Sequence, residues 1–66
     1  METFASRLKD LRNSKNITQE ELASNIKVSA SAIARWEKAQ RNPSIENIKA
    51  LCKVFDVSAD YLLGIE

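Results

Sequence analysis

The sequence predicts an all-α domain of five short helices, and three observations carry that expectation. Its 66 residues include one glycine, Gly64, and one proline, Pro43, too few turn-tolerant residues for a hairpin-rich β fold. The apolar residues recur at helical rather than alternating spacing. A serine or threonine precedes each apolar-periodic stretch, where a helix N-cap belongs.

The first helix is expected behind Thr3, with Phe4, Leu8 and Leu11 at i, i+4, i+7 on one stripe. Arg12 sits at the edge of that stripe, able to turn inward to a buried partner. A break is expected from Asn13 to Ile17. "TQEE" then has the form of a capping box, in which Thr18 takes the backbone NH of Glu21 and the Glu21 side chain returns to the NH of Thr18. The second helix starts there, buries Leu22, Ala23 and Ile26, and ends at "NIKV". Ser29 caps a third helix running to about Glu37. "RNPS" reads as a linker, because Pro43 pushes Asn42 out of the helical region, and Ser44 caps the fourth helix. Its apolar positions are Ile45, Ile48, Leu51, Cys52 and Phe55. Ser58 caps a last short helix through Leu63, Asp60 suits the positive end of its dipole, and Gly64 ends it.

The third helix has an unusual outer face. At ~100° per residue, Ser29, Ala32, Ile33, Trp36 and Glu37 fall on one side, and Ala30, Ser31, Ala34, Arg35 and Lys38 on the other. Ile33 and Trp36 anchor the helix inward. A face meant only for solvation would carry long helix formers such as Glu, Lys and Gln. Short side chains let a large partner approach the backbone, and the DNA major groove, ~12 Å wide, admits a helix. Arg35 is then placed for a two-pronged bond to guanine, and Lys38 and Arg41 for phosphates. That the alanines serve helix propensity alone stays open on composition.

Charge supports the first reading. The net charge is only +1, yet Lys27, Arg35, Lys38 and Arg41 outweigh Glu37 within 27–42, whereas acidic residues exceed basic ones from 43 onward.

Other functions find little footing. The chain is expected to form one domain over 1–66, below the ~70–80 residues at which a single core is comfortable. Cys52 is the only cysteine and histidine is absent, so no internal disulfide or ordinary zinc site is available, and neither metal nor cofactor is expected. Cys52 on an apolar stripe reads as a small hydrophobe, and Trp36 as core. A reducing, cytoplasmic setting fits. No apolar run reaches the ~18–20 residues of a membrane span, and Met1 leads into no signal-peptide pattern, so a soluble, unprocessed protein is expected. No nucleophile has a base near it by any recognisable spacing, and an enzyme is not expected.

"TQEELASNIKVSASAIARWEKAQRNPS", followed by "VSADYLLG", resembles the Xre family of helix-turn-helix regulators, the family of phage repressors and Cro proteins. The resemblance implies a compact five-helix domain of the phage-repressor type, with helices two and three forming the motif. It implies a sequence-specific regulator, a repressor, that binds a near-palindromic double-stranded DNA operator as a homodimer. By position in the motif, Gln19 resembles a phosphate-binding glutamine at a helix start. Ala30, Ser31, Ala34 and Arg35 occupy the base-reading face, Ser29 and Lys38 backbone-contacting positions, and Gln40, Arg41 and Asn42 the segment beside the groove. Arg12 and Glu37 match a structural ion pair linking helix one to helix three.

The chain departs from the family pattern where glycine is usual, at Lys27 and at Ala39, since a left-handed backbone strains other residues by ~1–2 kcal/mol. Either the turn differs in shape or stability is lost. Ala34 replaces a frequent serine or threonine, so specificity is expected to lean on DNA shape or on paired half-sites. The segment "FDVSADYLLGIE" holds more apolar residues than one short helix can bury, and Val57, Tyr61, Leu62 and Ile65 are the expected dimer surface, with closure of a small core as the alternative. Glu20 and Glu21 serve either as capping residues or as an acidic patch for RNA polymerase. The rival function is an antitoxin-like protein-interaction module with secondary DNA binding.

Overall fold

The computed structural model describes residues 3–65. It contains α1 (Phe4–Ser14), α2 (Gln19–Ile26), α3 (Ala30–Glu37), α4 (Ile45–Phe55) and α5 (Ala59–Leu63). No helix among the described residues is long and apolar enough to cross a membrane.

Each helix starts at a hydroxyl side chain in extended conformation: Thr3, Thr18, Ser29, Ser44 and Ser58 all accept a backbone NH of the first turn. The Thr18 box is closed in both directions, with Glu21 N donating to Thr18 Oγ1 at 3.0 Å and Thr18 N to Glu21 Oε1 at 2.8 Å. Thr3 forms a second box, with Ser6 returning its Oγ to the Thr3 NH at 3.0 Å. These bonds satisfy NH groups that the helix ladder leaves unpaired.

The ends repeat one device. Asn16, Lys27, Ala39, Asp56 and Gly64 all have positive φ, and the next NH reaches back to the last turn: Ile17 to Arg12 O, Val28 to Ala23 O, Gln40 to Arg35 O, Val57 to Cys52 O and Ile65 to Asp60 O. A left-handed residue followed by such a bond closes a helix and reverses the chain. The turn at Lys27, with φ 61° and ψ 45°, therefore has the shape a glycine would take, and the chain accepts the strain. Helix α1 runs past Asn13, where a break was expected, to Ser14, because the left-handed residue that stops it is Asn16.

Leu8, Leu22, Ala23, Ile33, Trp36, Leu51, Phe55 and Leu62 form one core to which every helix contributes. Leu8, Leu22, Ile33, Leu51 and Leu62 are completely enclosed. Trp36 meets Phe4 edge to face, with ring centroids 6.5 Å apart, a favoured aromatic geometry. Helix α3 packs on α1 and α2, while α4 and α5 pack on each other beneath α2 and α1.

Two apolar expectations are corrected. Ile45 is 75% exposed: it lies on the α4 stripe, but ~10 Å before Cys52 along the axis, in a first turn that overhangs the core. Leu62 is fully buried and belongs to this chain's own core, so it cannot be a dimer contact. Adjacent Leu63 is half-buried, and Tyr61 and Ile65 remain exposed.

Candidate nucleic-acid interface

The helices α2 and α3 meet at a sharp turn, and the geometry of that turn decides which side chains face outward. Val28 is half-buried against the core and Lys27 carries the left-handed bend. Ser29 then starts α3, its Oγ accepting from Ala32 N at 3.2 Å and lying 3.0 Å from Ser31 Oγ. With Ile33 and Trp36 buried, the helix cannot rotate, and Ser31 and Arg35 point into solvent.

The outer face of α3 and the start of α2 enclose an open depression of ≈ 540 Å³ lined by Arg12, Thr18, Gln19, Glu20, Ala30, Ser31 and Ala34. No side chain longer than alanine or serine projects into it from α3. Ala30 and Ala34 are half-buried, and Ala30 also packs against the core. Lys38 closes α3 as its C-cap, outside the helix proper. It is exposed, as are Gln40, Arg41 and Asn42 in the segment that follows.

Beneath the depression lies an ion pair joining α1 to α3. Arg12 Nε donates to Glu37 Oε2 at 2.6 Å and a terminal nitrogen donates to Oε1 at 3.1 Å. The second terminal nitrogen of Arg12 donates to the carbonyl of Ile17 at 2.9 Å, fixing the chain that enters α2. Side-chain exposures of 13% for Arg12 and 4% for Glu37 make this a largely buried pair. Its hydrogen bond to Glu37 raises the Arg12 pKa, against a smaller opposing effect of burial, and the Glu37 charge adds to the rise.

Gln19 is half-buried, and its Nε2 donates to Glu37 Oε1 at 3.1 Å. Sequence reasoning offered Gln19 as a phosphate contact or an ordinary polar residue of the first turn, and missed this bond. The residues stand 18 apart on different helices, so no local pattern records the contact.

Of the expected dimer residues, Val57 packs partly against the core. Tyr61 is bound to α1 by Arg7, whose guanidinium lies 4.2 Å from the ring centre and donates to the Tyr61 carbonyl at 2.8 Å.

Comparison with known proteins gives this arrangement a context. The HTH-type transcriptional activator BcrR of Enterococcus faecalis is 43% identical over 63 residues, covering 96% of this chain and 31% of BcrR. Repressor protein C2 of Salmonella phage P22 is 37% identical over 60 residues, covering 91% of this chain and 28% of the repressor. The chain thus spans under a third of either relative. In three dimensions it matches the crystal structure of the P22 c2 repressor in complex with a synthetic operator with a TM-score of 0.93, 33% identity and full coverage of both chains. The HTH_3 helix-turn-helix family model matches residues 8–62, from the core leucine of α1 to that of α5, and the chain belongs to that helix-turn-helix family.

Proposed function

We propose that the domain binds double-stranded DNA sequence-specifically by inserting α3 into the major groove, and that it acts in the cytoplasm as the DNA-reading part of a transcriptional regulator. One observation carries this reading: the exposed face of α3 offers Ala30, Ser31 and Ala34 at its start and Arg35 beyond them, with nothing bulky between backbone and solvent. Arg35 reads a guanine through O6 and N7, and the small residues let the helix come close enough for it to do so. Gln19, Ser29, Lys38, Gln40, Arg41 and Asn42 bind the sugar-phosphate backbone around that helix and hold it in register. The similarity to a repressor fold bound to operator DNA supports the same docking.

Two copies bind a near-palindromic operator about one helical turn, ~34 Å, between half-sites. Val57, Tyr61 and Ile65 supply the contact between copies. The regulator represses, since occupying an operator suffices to exclude polymerase, whereas activation demands a further protein contact.

The test is selection of bound duplexes from a random pool, followed by titration of variants on the selected site and on random DNA. Arg35→Ala weakens the selected site by ~1–3 kcal/mol and relaxes preference at one base pair, while Lys38→Ala weakens both DNAs alike and lowers the salt slope by ~1. Equal losses for both variants on both DNAs would remove Arg35 as a base reader. Affinity that is absent at low salt, or indifferent to salt, would favour a protein-interaction module instead.

A further inference from the structure

We infer that Glu37 is a positioning residue for DNA binding: its carboxylate, clamped by Arg12, fixes the side-chain amide of Gln19 at the rim of the α2–α3 depression. The inference rests on the groove-binding reading of α3 and adds to it a residue that touches no DNA.

The chemistry of the three groups sets the orientation. An ionised carboxylate only accepts, so Glu37 Oε1 holds Gln19 by its NH2 end, at 3.1 Å, and the amide cannot be turned the other way without placing oxygen against oxygen. The same Oε1 takes a bond from Arg12 at 3.1 Å, and Oε2 takes the 2.6 Å bond from Arg12 Nε. Glu37 is itself enclosed, its side chain being 4% exposed. Arg12 is pinned a third time by the Ile17 carbonyl, immediately before the Thr18 cap of α2. Residues from α1, α2 and α3 thus meet in one network.

Two consequences follow for a polyanionic partner. One N–H of Gln19 remains to donate to a phosphate, on a side chain already held by Glu37, so binding costs it little rotamer freedom. Arg12 also neutralises a carboxylate that would otherwise lie under the phosphates. Glu37 therefore contributes to affinity although it is buried and negatively charged.

The experiment is a double-mutant cycle on the selected operator. The background is Arg12→Met with Glu37→Met, which removes both charges together and keeps length and helix propensity. Circular dichroism confirms that the variants are folded at the temperature of titration. Gln19→Ala weakens binding roughly fivefold in the natural background and less than about twofold in the methionine background, because the unanchored amide no longer contributes. The same factor in both backgrounds would make the network structural only and overturn the inference.

A measurement on the unaltered protein stands independently of how the variants fold. The side-chain amide of Gln19 relaxes in NMR like helical backbone before DNA is added, while that of exposed Gln40 is mobile. Equal mobility of the two amides in the free protein overturns positioning by Glu37. Failure of the unaltered protein to bind any duplex at low salt would strike the groove reading itself, whereas binding indifferent to Gln19→Ala strikes only this inference.

Discussion

Lys27 and Ala39 hold a backbone shape, φ 61° and 59°, that costs a residue with a Cβ ~1–2 kcal/mol, of which glycine would give back part as chain entropy. Lys27→Gly and Ala39→Gly each stabilise the domain by about 0.5–1 kcal/mol and raise Tm by ~2–8 °C, read by thermal unfolding. An unchanged or lowered Tm would mean the left-handed turns carry no strain. Asn16 and Asp56 cost less at the same angles, because short polar side chains tolerate this region. Truncating Glu37 to alanine leaves Arg12 charged and largely buried and costs ~3 kcal/mol, a large share of the ~3–10 kcal/mol expected for a chain this size. A chemical denaturation curve measures that loss. The Arg12 pKa is raised in the fold, so its contribution is complete at every pH below the free arginine value and fades only as pH rises through the higher folded value. Stability measured from neutral to moderately alkaline pH therefore shows no loss from this group. At this scale the strained residues were legible only through the glycines that relatives carry there. The Gln19 bond to Glu37 was not legible at all, since it depends on how two helices pack.

At the scale of elements, helix starts were legible in the sequence, and so were the ends of α2, α3 and α5, while α1 runs past its expected end at Asn13. A cap is a local event: Thr18, Ser29, Ser44 and Ser58 sit one residue before the helices they start, and each bonds a backbone NH within three residues. Ser44→Ala therefore costs ~1 kcal/mol by denaturant titration, with DNA affinity per folded molecule unchanged because α4 lies outside the reading face. The ends depend on a left-handed residue that four times is not glycine, so glycine content was a poor guide to them. Periodicity was sound in direction and blind to depth, as Ile45 shows: its stripe is right, and its turn extends past the core. The α3 helix shows the same limit. Ile33 and Trp36 face inward and Ser31, Arg35 and Lys38 outward as the 3.6-residue repeat predicts, whereas Ser29, set on the inward side, is exposed, and Ala30 and Ala34, set on the outward side, are half-buried.

For the molecule as a whole, one small core sets the relation between two surfaces. Basic residues gather from Lys27 to Arg41, along α3 and the segment after it, and the acidic excess lies beyond 43, a distribution that favours approach of a polyanion to the α3 segment. Burial of Leu62 within that core reduces the expected dimer surface to Val57, Tyr61 and Ile65. Composition could show the surplus of apolar residues in this segment without showing which of them the core would claim. Ile65→Asp lowers affinity for a duplex with two half-sites at least tenfold (~1.4 kcal/mol) and leaves a single half-site unaffected. Equal effects on both duplexes would place Ile65 outside the contact between copies.

Close approach of α3 to base edges is the claim on which the function depends, and Ala34→Leu tests it most directly. Leucine is nearly as good a helix former as alanine, but it fills the depression that Ala34 helps to line. Titrated on the selected operator, Ala34→Leu should bind at least tenfold more weakly (~1.4 kcal/mol) while its Tm stays within a few degrees. A variant that is equally stable and binds as tightly as the natural chain would show that this face of α3 never enters the groove.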